Sequence, residues 1–369
     1  MKVKRIDYQG RSGWELGNGV ISVVVLEGGG HVASLTLDAK PDVNPLWTPP
    51  WSTVEPWHYK KTQDKGQWGG DQLLASIYGH LLCLHYFGSP TDAEKDLGAN
   101  GHGEAGLARW KQLERSVTPR HARLRISAEL PCAGLRVIRS VTLRPDSRIV
   151  EFSEEIENLL WRDTPFTFAE HVTFGAPFVQ PGVTVFDMPC DAGHTFPTQF
   201  SDDQRLATDT EFEWPDGPGA DGGTVDLRTI GKRPKSNSDF SAQHIDPARE
   251  DAWFSAVNPE QGVLVAYHWR RRDFPWVGSW EEKFSRDFAP WNGRTLTRGM
   301  EFANTPFPTS LKEQVTRGTM HGDPTFAWMP ARGKIRVDYR AVIMQVSKKT
   351  RGVSDVRPSP SGLEIDLLV

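Results

Sequence analysis

The residues best placed for chemistry are a few His and Glu on stretches whose two faces can be told apart. Side chains alternate across a strand, so in the run from Phe166 to Phe174 the phenylalanines, Glu170 and Val172 share one face. Thr167, Ala169, His171 and Thr173 share the other, which places His171 on a small, polar face that a ligand can approach. Glu170 falls on the apolar face, where a carboxylate needs a partner, and an Arg is expected. From Thr295 to Ala303, Leu296, Met300 and Phe302 line one side, while Glu301 projects from a face of small residues with Gly299 leaving space beside it. His102 stands in a loop with glycines at 98, 101, 103 and 106, beside Glu104 and shortly before Trp110. An imidazole and a carboxylate are the side chains that most often move protons near neutral pH. Each residue alone also fits an ordinary hydrogen-bonded or solvated role.

The elements that must position these residues are strands. Leu124, Ile126, Ala128 and Leu130 alternate with Arg125, Ser127 and Glu129. Leu135 to Leu143 keeps the same period, with Arg139 interrupting its apolar face, and a turn at Arg144-Pro145-Asp146-Ser147 leads into Ile149 to Ile156. These three runs read as consecutive antiparallel strands. Val20 to Leu26 and His31 to Leu37, joined through Gly28-Gly29-Gly30, read as a hairpin. More β runs follow at 262–269, 276–281 and 334–346. With 34 Gly, 27 Pro and 14 Trp in 369 residues, the composition suits turns and flat aromatic faces rather than helices. A single domain over 1–369 is expected, with a loop excursion at about 215–243 and, at 348–369, a peripheral strand or a partly loose stretch.

Several function classes are disfavoured. With 43 Lys+Arg against 47 Asp+Glu, the net charge of −4 lacks the basic excess of a nucleic-acid protein. No apolar stretch approaches the roughly 20 residues of a membrane span. The N-terminus does not read as a secretory signal, so a cytoplasmic protein is expected. Three cysteines without a Cys-x-x-Cys pair argue against a disulfide framework or a structural zinc site. His80, His85 and His102 lack a recognisable metal-ligand spacing, so no metal is expected. The glycines at 28–30 have no helix behind them to make a phosphate loop.

Taken in order, these segments resemble the galactose mutarotase-like proteins, which include aldose 1-epimerases and hexose-6-phosphate epimerases. Leu16-Gly17-Asn18-Gly19-Val20 with residues 28–35 is similar to the opening hairpin of that family. Tyr78-Gly79-His80 through Phe87-Gly88, then His102-Gly103-Glu104-Ala105 and Trp110, resembles the stretch bearing its first active-site histidine. Glu170-His171-Val172-Thr173-Phe174 resembles the strand bearing the second, and Arg298-Gly299-Met300-Glu301-Phe302 falls where the family places its catalytic glutamate.

The resemblance implies an all-β protein, a large antiparallel β-supersandwich with a sugar groove on a concave face. It implies an aldose 1-epimerase-like activity that needs no cofactor, with Glu301 as base, His171 as acid and His102 orienting the sugar or stabilising charge on the anomeric oxygen. His80, Glu104, Trp280 and Trp276 are then expected to contact a mono- or oligosaccharide. Asp187 and Asp191 lie in the region of the family's sugar-binding aspartate. The alternatives are a carbohydrate-binding protein without epimerase activity, or a lyase or isomerase using the same groove. Oligomeric state is left open.

Overall fold

Alternating apolar and polar side chains make strands, and frequent Gly and Pro turns return each strand beside its predecessor. The computed structural model describes residues 1–232, 235–360 and 362–369. Arg233 and Pro234, within the excursion expected at 215–243, lie outside the described residues.

Two large antiparallel sheets carry the fold. The larger has twelve strands, and its central run in spatial order is Val32–Leu37, His80–His85, Thr164–Gly175, Leu296–Ala303, Trp276–Lys283, Asn237–Ile245, Cys190–Thr195 and Glu211–Glu213. The second has eight strands and includes His121–Leu130, Leu135–Leu143 and Ile149–Asn158 as successive neighbours, the meander expected from their alternation. The hairpin Ile21–Leu26/Val32–Leu37 also forms. In its connection Gly30 has φ +62, and a Cβ there would lie 2.7 Å from the Trp110 ring, so the indole packs directly on backbone.

One apolar cluster lies between the two sheets. It draws Leu124, Ile126, Val137 and Ile156 from the smaller sheet and Leu82, Phe168, Val172 and Phe302 from the larger. Arg139, which breaks the apolar face of its strand, is wholly buried there. Its Nε donates to Glu154 Oε1 at 2.6 Å and its Nη2 to Glu170 Oε2 at 3.1 Å. The partner that Glu170 requires is therefore Arg139.

One boundary differs from expectation. Short paired strands at 216–218 and 224–226 occupy the excursion, but residues 237–243 belong to the buried strand Asn237–Ile245. Asn237 reads as loop by type, yet its Nδ2 donates to Glu281 Oε1 at 2.8 Å, which makes it a buried bonding group. At the C-terminus, Gly352–Ser359 and Gly362–Leu368 form a hairpin whose Val353 and Val356 pack with Trp253, Val257 and Leu264. The protein is thus all-β, an antiparallel β-supersandwich. No helix among the described residues is long and apolar enough to cross a membrane.

Candidate active site

His171 and Glu301 meet because their strands pair in register, residue 171 opposite residue 301. The strand parity that puts both on one face also puts Ala169, Thr173 and Gly299 beside them. His171 Nε2 lies 3.0 Å from Glu301 Oε1. Its other ring nitrogen, Nδ1, is 3.1 Å from Thr173 Oγ1, two residues along the same face. Opposite Glu301 on the other neighbouring strand is Gly278, whose missing side chain leaves the carboxylate room.

His102 joins the pair from its loop. Its ring stands edge-on to His171 with centroids 5.4 Å apart, and its Nδ1 is 3.5 Å from Cys83 Sγ. The residue has φ +60, held in that turn by Gly103, where a Cβ would strike the Leu84 carbonyl at 2.2 Å. Trp280 completes the wall, its ring 6.1 Å from that of His171. Arg286 lies over Trp280 at 5.1 Å and over Trp291 at 4.7 Å, and Trp291 stacks on Trp47 at 5.9 Å. Leu73, Phe87 and Phe240 belong to the same apolar cluster on this face.

That packing closes the site. His171 is 6 % exposed and Glu301 2 %. The ready approach expected of the His171 face is therefore not present in this conformation, because Trp280 from the same sheet and His102 from its loop pack against it, with Arg286 and Trp291 against Trp280 in turn. Electrostatics follow from the burial. Loss of water pushes Glu301 well above the ordinary carboxylate range. Burial, and then the neighbouring His102, push His171 well below the ordinary imidazole value. Burial likewise lowers His102. Both partners of the short contact thus favour their neutral forms, a carboxylic acid beside an imidazole sharing one proton.

Four of the remaining expectations need correction. His80 faces the inter-sheet core, not the groove, because residues 80, 82 and 84 share the side opposite Leu81 and Cys83. Its Nε2 is 2.8 Å from Glu170 Oε2 and its Nδ1 3.3 Å from the Tyr267 hydroxyl, and it has no exposure. Glu104 is used structurally: its carboxylate accepts from the backbone nitrogens of Cys132 at 3.0 Å and Ala133 at 2.8 Å. Trp276 is fully buried and packs on His244 with centroids 4.6 Å apart, two positions along the strand from Gly278. Asp187 is occupied by Arg228 Nε at 2.7 Å and the Val353 nitrogen at 2.9 Å, while Asp191 is exposed. Sequence reasoning missed Cys83, Gly278 and Arg286. Gly278 was within reach, since it sits between two Trp residues of one strand face, but nothing marks Arg286.

No family model matches this sequence, and no curated protein matches it. Solved structures do. A galactose mutarotase-like protein from Clostridium acetobutylicum is 12% identical, with a TM-score of 0.62 over 94% of this chain and 99% of that one. A candidate aldose 1-epimerase from Klebsiella pneumoniae is also 12% identical, with a TM-score of 0.63 over 92% of this chain and 80% of its own. A galactose mutarotase related enzyme from Lactobacillus acidophilus is 13% identical, with a TM-score of 0.55 over 91% and 98%. At such identities the likeness is one of fold, and it extends over nearly the whole chain. The two-sheet architecture built above is the galactose mutarotase-like fold.

Proposed function

We propose that this protein interconverts the anomers of an aldose by acid–base ring opening, with Glu301 and His171 as the proton-transfer pair. The observation that carries the reading is their 3.0 Å contact on a face flanked by Trp280 and His102. Ring opening removes the proton of the anomeric hydroxyl and delivers a proton to the ring oxygen as the C1–O5 bond breaks. Rotation about C1–C2 then presents the other face of the aldehyde, and closure returns both protons. A pair that holds one proton between two adjacent groups can take one and give one in the same event. With the proton on Glu301 the imidazole is the base, and with it on His171 the carboxylate is. The two arrangements differ only by transfer across one hydrogen bond.

His102 is 5.4 Å from His171 by ring centroids and is suited to orient a sugar hydroxyl. The Trp280 face supplies apolar contact for a pyranose. For sugar to arrive, the contacts among Trp280, Arg286 and Trp291 have to open. General acid–base help is worth typically about 10²–10⁴-fold, enough for a reaction that already runs unaided in water.

A second reading rests on the burial of the pair. A carboxylate with 2 % exposure also fits a sugar-binding or purely structural role on the same fold. Exchange NMR on a panel of aldoses decides between them. Accelerated interconversion of one or more, abolished in both Glu301→Gln and His171→Asn, supports the epimerase. Binding without acceleration for any sugar, or full rate in both variants, removes it.

A further inference from the structure

Three strands along from Glu301 on the same sheet, about 14 Å at the usual strand spacing of about 4.8 Å, a second group of ring nitrogens and carboxylates converges. His194, on Cys190–Thr195, pairs directly with Glu211 on Glu211–Glu213. His321 comes from a different part of the chain, the tight turn between the two-residue strands at 319–320 and 323–324, where it has φ +47. One ligating atom from each of the three lies within 4.8 Å of the others. His321 Nε2 stands 3.8 Å from Glu211 Oε1, too far for a hydrogen bond, and is buried with no bonding partner.

The second histidine is set up in a way that ordinary ion pairing does not require. His194 Nε2 is bonded to Asp209 Oδ1 at 2.9 Å, while its Nδ1 is buried and unpartnered. A carboxylate on one ring nitrogen fixes the tautomer that leaves the other nitrogen's lone pair free, the arrangement found behind metal-bound histidines. Glu211 is largely exposed, 70% of its side chain, which keeps a coordination position in reach of water. The neighbouring charges do not compete. Arg271, which reaches His244 Nε2 at 3.0 Å, is held by Asp323 at 2.5 Å, so that cation is already matched. His244 stacks on His321 at 5.5 Å and Trp276 lies 5.9 Å from it, giving that turn a rigid backing.

We propose that His194, Glu211 and His321 bind one divalent transition cation of the Zn²⁺ class, with Asp209 as the supporting carboxylate. Two imidazoles and one carboxylate suit zinc, and they leave a fourth position open. The charges of Glu211 and Asp209 balance the dication. The ion would tie the turn at 319–324 to the sheet edge, joining segments more than a hundred residues apart. Residue spacing alone, 194, 211 and 321, gave no sign of this, because the third ligand is brought in by tertiary structure.

The test uses the tag-free, chelator-treated full chain, titrated with Zn²⁺ by calorimetry and with Co²⁺ by visible absorption. One ion per chain is expected, with the visible bands of a four- or five-coordinate Co²⁺ site. Glu211→Gln, at an exposed position, and His321→Gln, at a partly buried one, should abolish the bands while circular dichroism stays unchanged. Asp209→Asn should weaken binding by about 10–100-fold, the usual effect of removing a supporting carboxylate. His58→Gln, at an exposed histidine elsewhere, should bind like wild type. Absence of a stoichiometric site in the wild type, or binding indifferent to Glu211→Gln and His321→Gln, overturns the proposal.

Discussion

Gly299 leaves the volume that the Glu301 carboxylate occupies: a Cβ built on residue 299 would lie 2.4 Å from Glu301 Oε1. The same Cβ would stand 3.2 Å from the Trp280 Cβ, so the carboxylate is the part that has to yield. Gly299→Ala is therefore expected to turn Glu301 away from His171. A displacement of about 1 Å at a reacting group can cost about 10²-fold in rate, and overpacking of this kind costs about 1–3 kcal/mol of stability. Exchange NMR at saturating sugar, with urea unfolding alongside, measures both. An alanine variant with wild-type turnover would show that the position of the carboxylate does not matter to the reaction.

Replacing the acid itself separates catalysis from stability. Burial raises the folded-state pKa of Glu301 well above the unfolded value of about 4.3. Between those two values the folded chain keeps a proton that the unfolded chain has released, so stability from this group is full below the unfolded pKa and is lost as pH rises toward the folded one. An amide does not titrate. Glu301→Gln should therefore be more stable than wild type near neutral pH, with the difference shrinking toward about pH 4, while activity falls about 10²–10⁴-fold. Unfolding free energies across that range are the measurement. A gap that does not change with pH would mean the carboxylate is not held protonated.

The fold was legible because period-two alternation survives wherever one sheet face is buried, and the same parity put His171 and Glu301 each on a face of small residues, although the register that sets them opposite one another depends on which strands pair. Parity also isolated Arg139 and Glu170 as misfits on apolar faces. Joining those two needed the packing of one sheet on the other, which no local pattern encodes, so Arg139 stayed unassigned. His80 misled because its strand is buried on both sides, and there a polar residue type does not reveal which way it points. Asn237 misled for a related reason: its type fits a loop, but a buried carboxylate on the adjacent strand takes its amide. The closure over the site comes from contacts such as Arg286 on Trp291, between side chains of an irregular segment.

Arg139 offers a direct measure of that inter-sheet contact. It faces two wholly buried carboxylates, Glu154 and Glu170, and burial raises the pKa of each above its ordinary value despite the guanidinium. One cation balances one anion, so the second carboxyl is expected to keep its proton. Arg139→Met should cost about 3–5 kcal/mol, because it strands buried acid groups rather than merely deleting a bond. Adding Glu154→Gln to that variant should recover part of the loss. Chemical denaturation of the three proteins tests this, and a loss of less than about 1 kcal/mol would show that the network contributes little.

The two tryptophans of one strand face give the sharpest contrast between groove and core. Trp280 touches His171 and lies beneath Arg286, whereas Trp276 is sealed between His244 and the strand Leu296–Ala303, opposite Ala303. An aromatic contact is worth about 0.5–1.5 kcal/mol beyond area burial, so Trp280→Ala should raise KM for a turned-over sugar up to about tenfold. Trp276→Ala empties a fully buried site and should cost about 3–5 kcal/mol of folding free energy, with KM unchanged in the fraction that remains folded. Measuring KM and urea midpoints for both variants at a temperature where both are folded distinguishes the roles. If Trp276→Ala moves KM and Trp280→Ala does not, the sugar lies further along the sheet, over His244, and the pairing of Glu301 with His171 loses its claim to be where the ring opens.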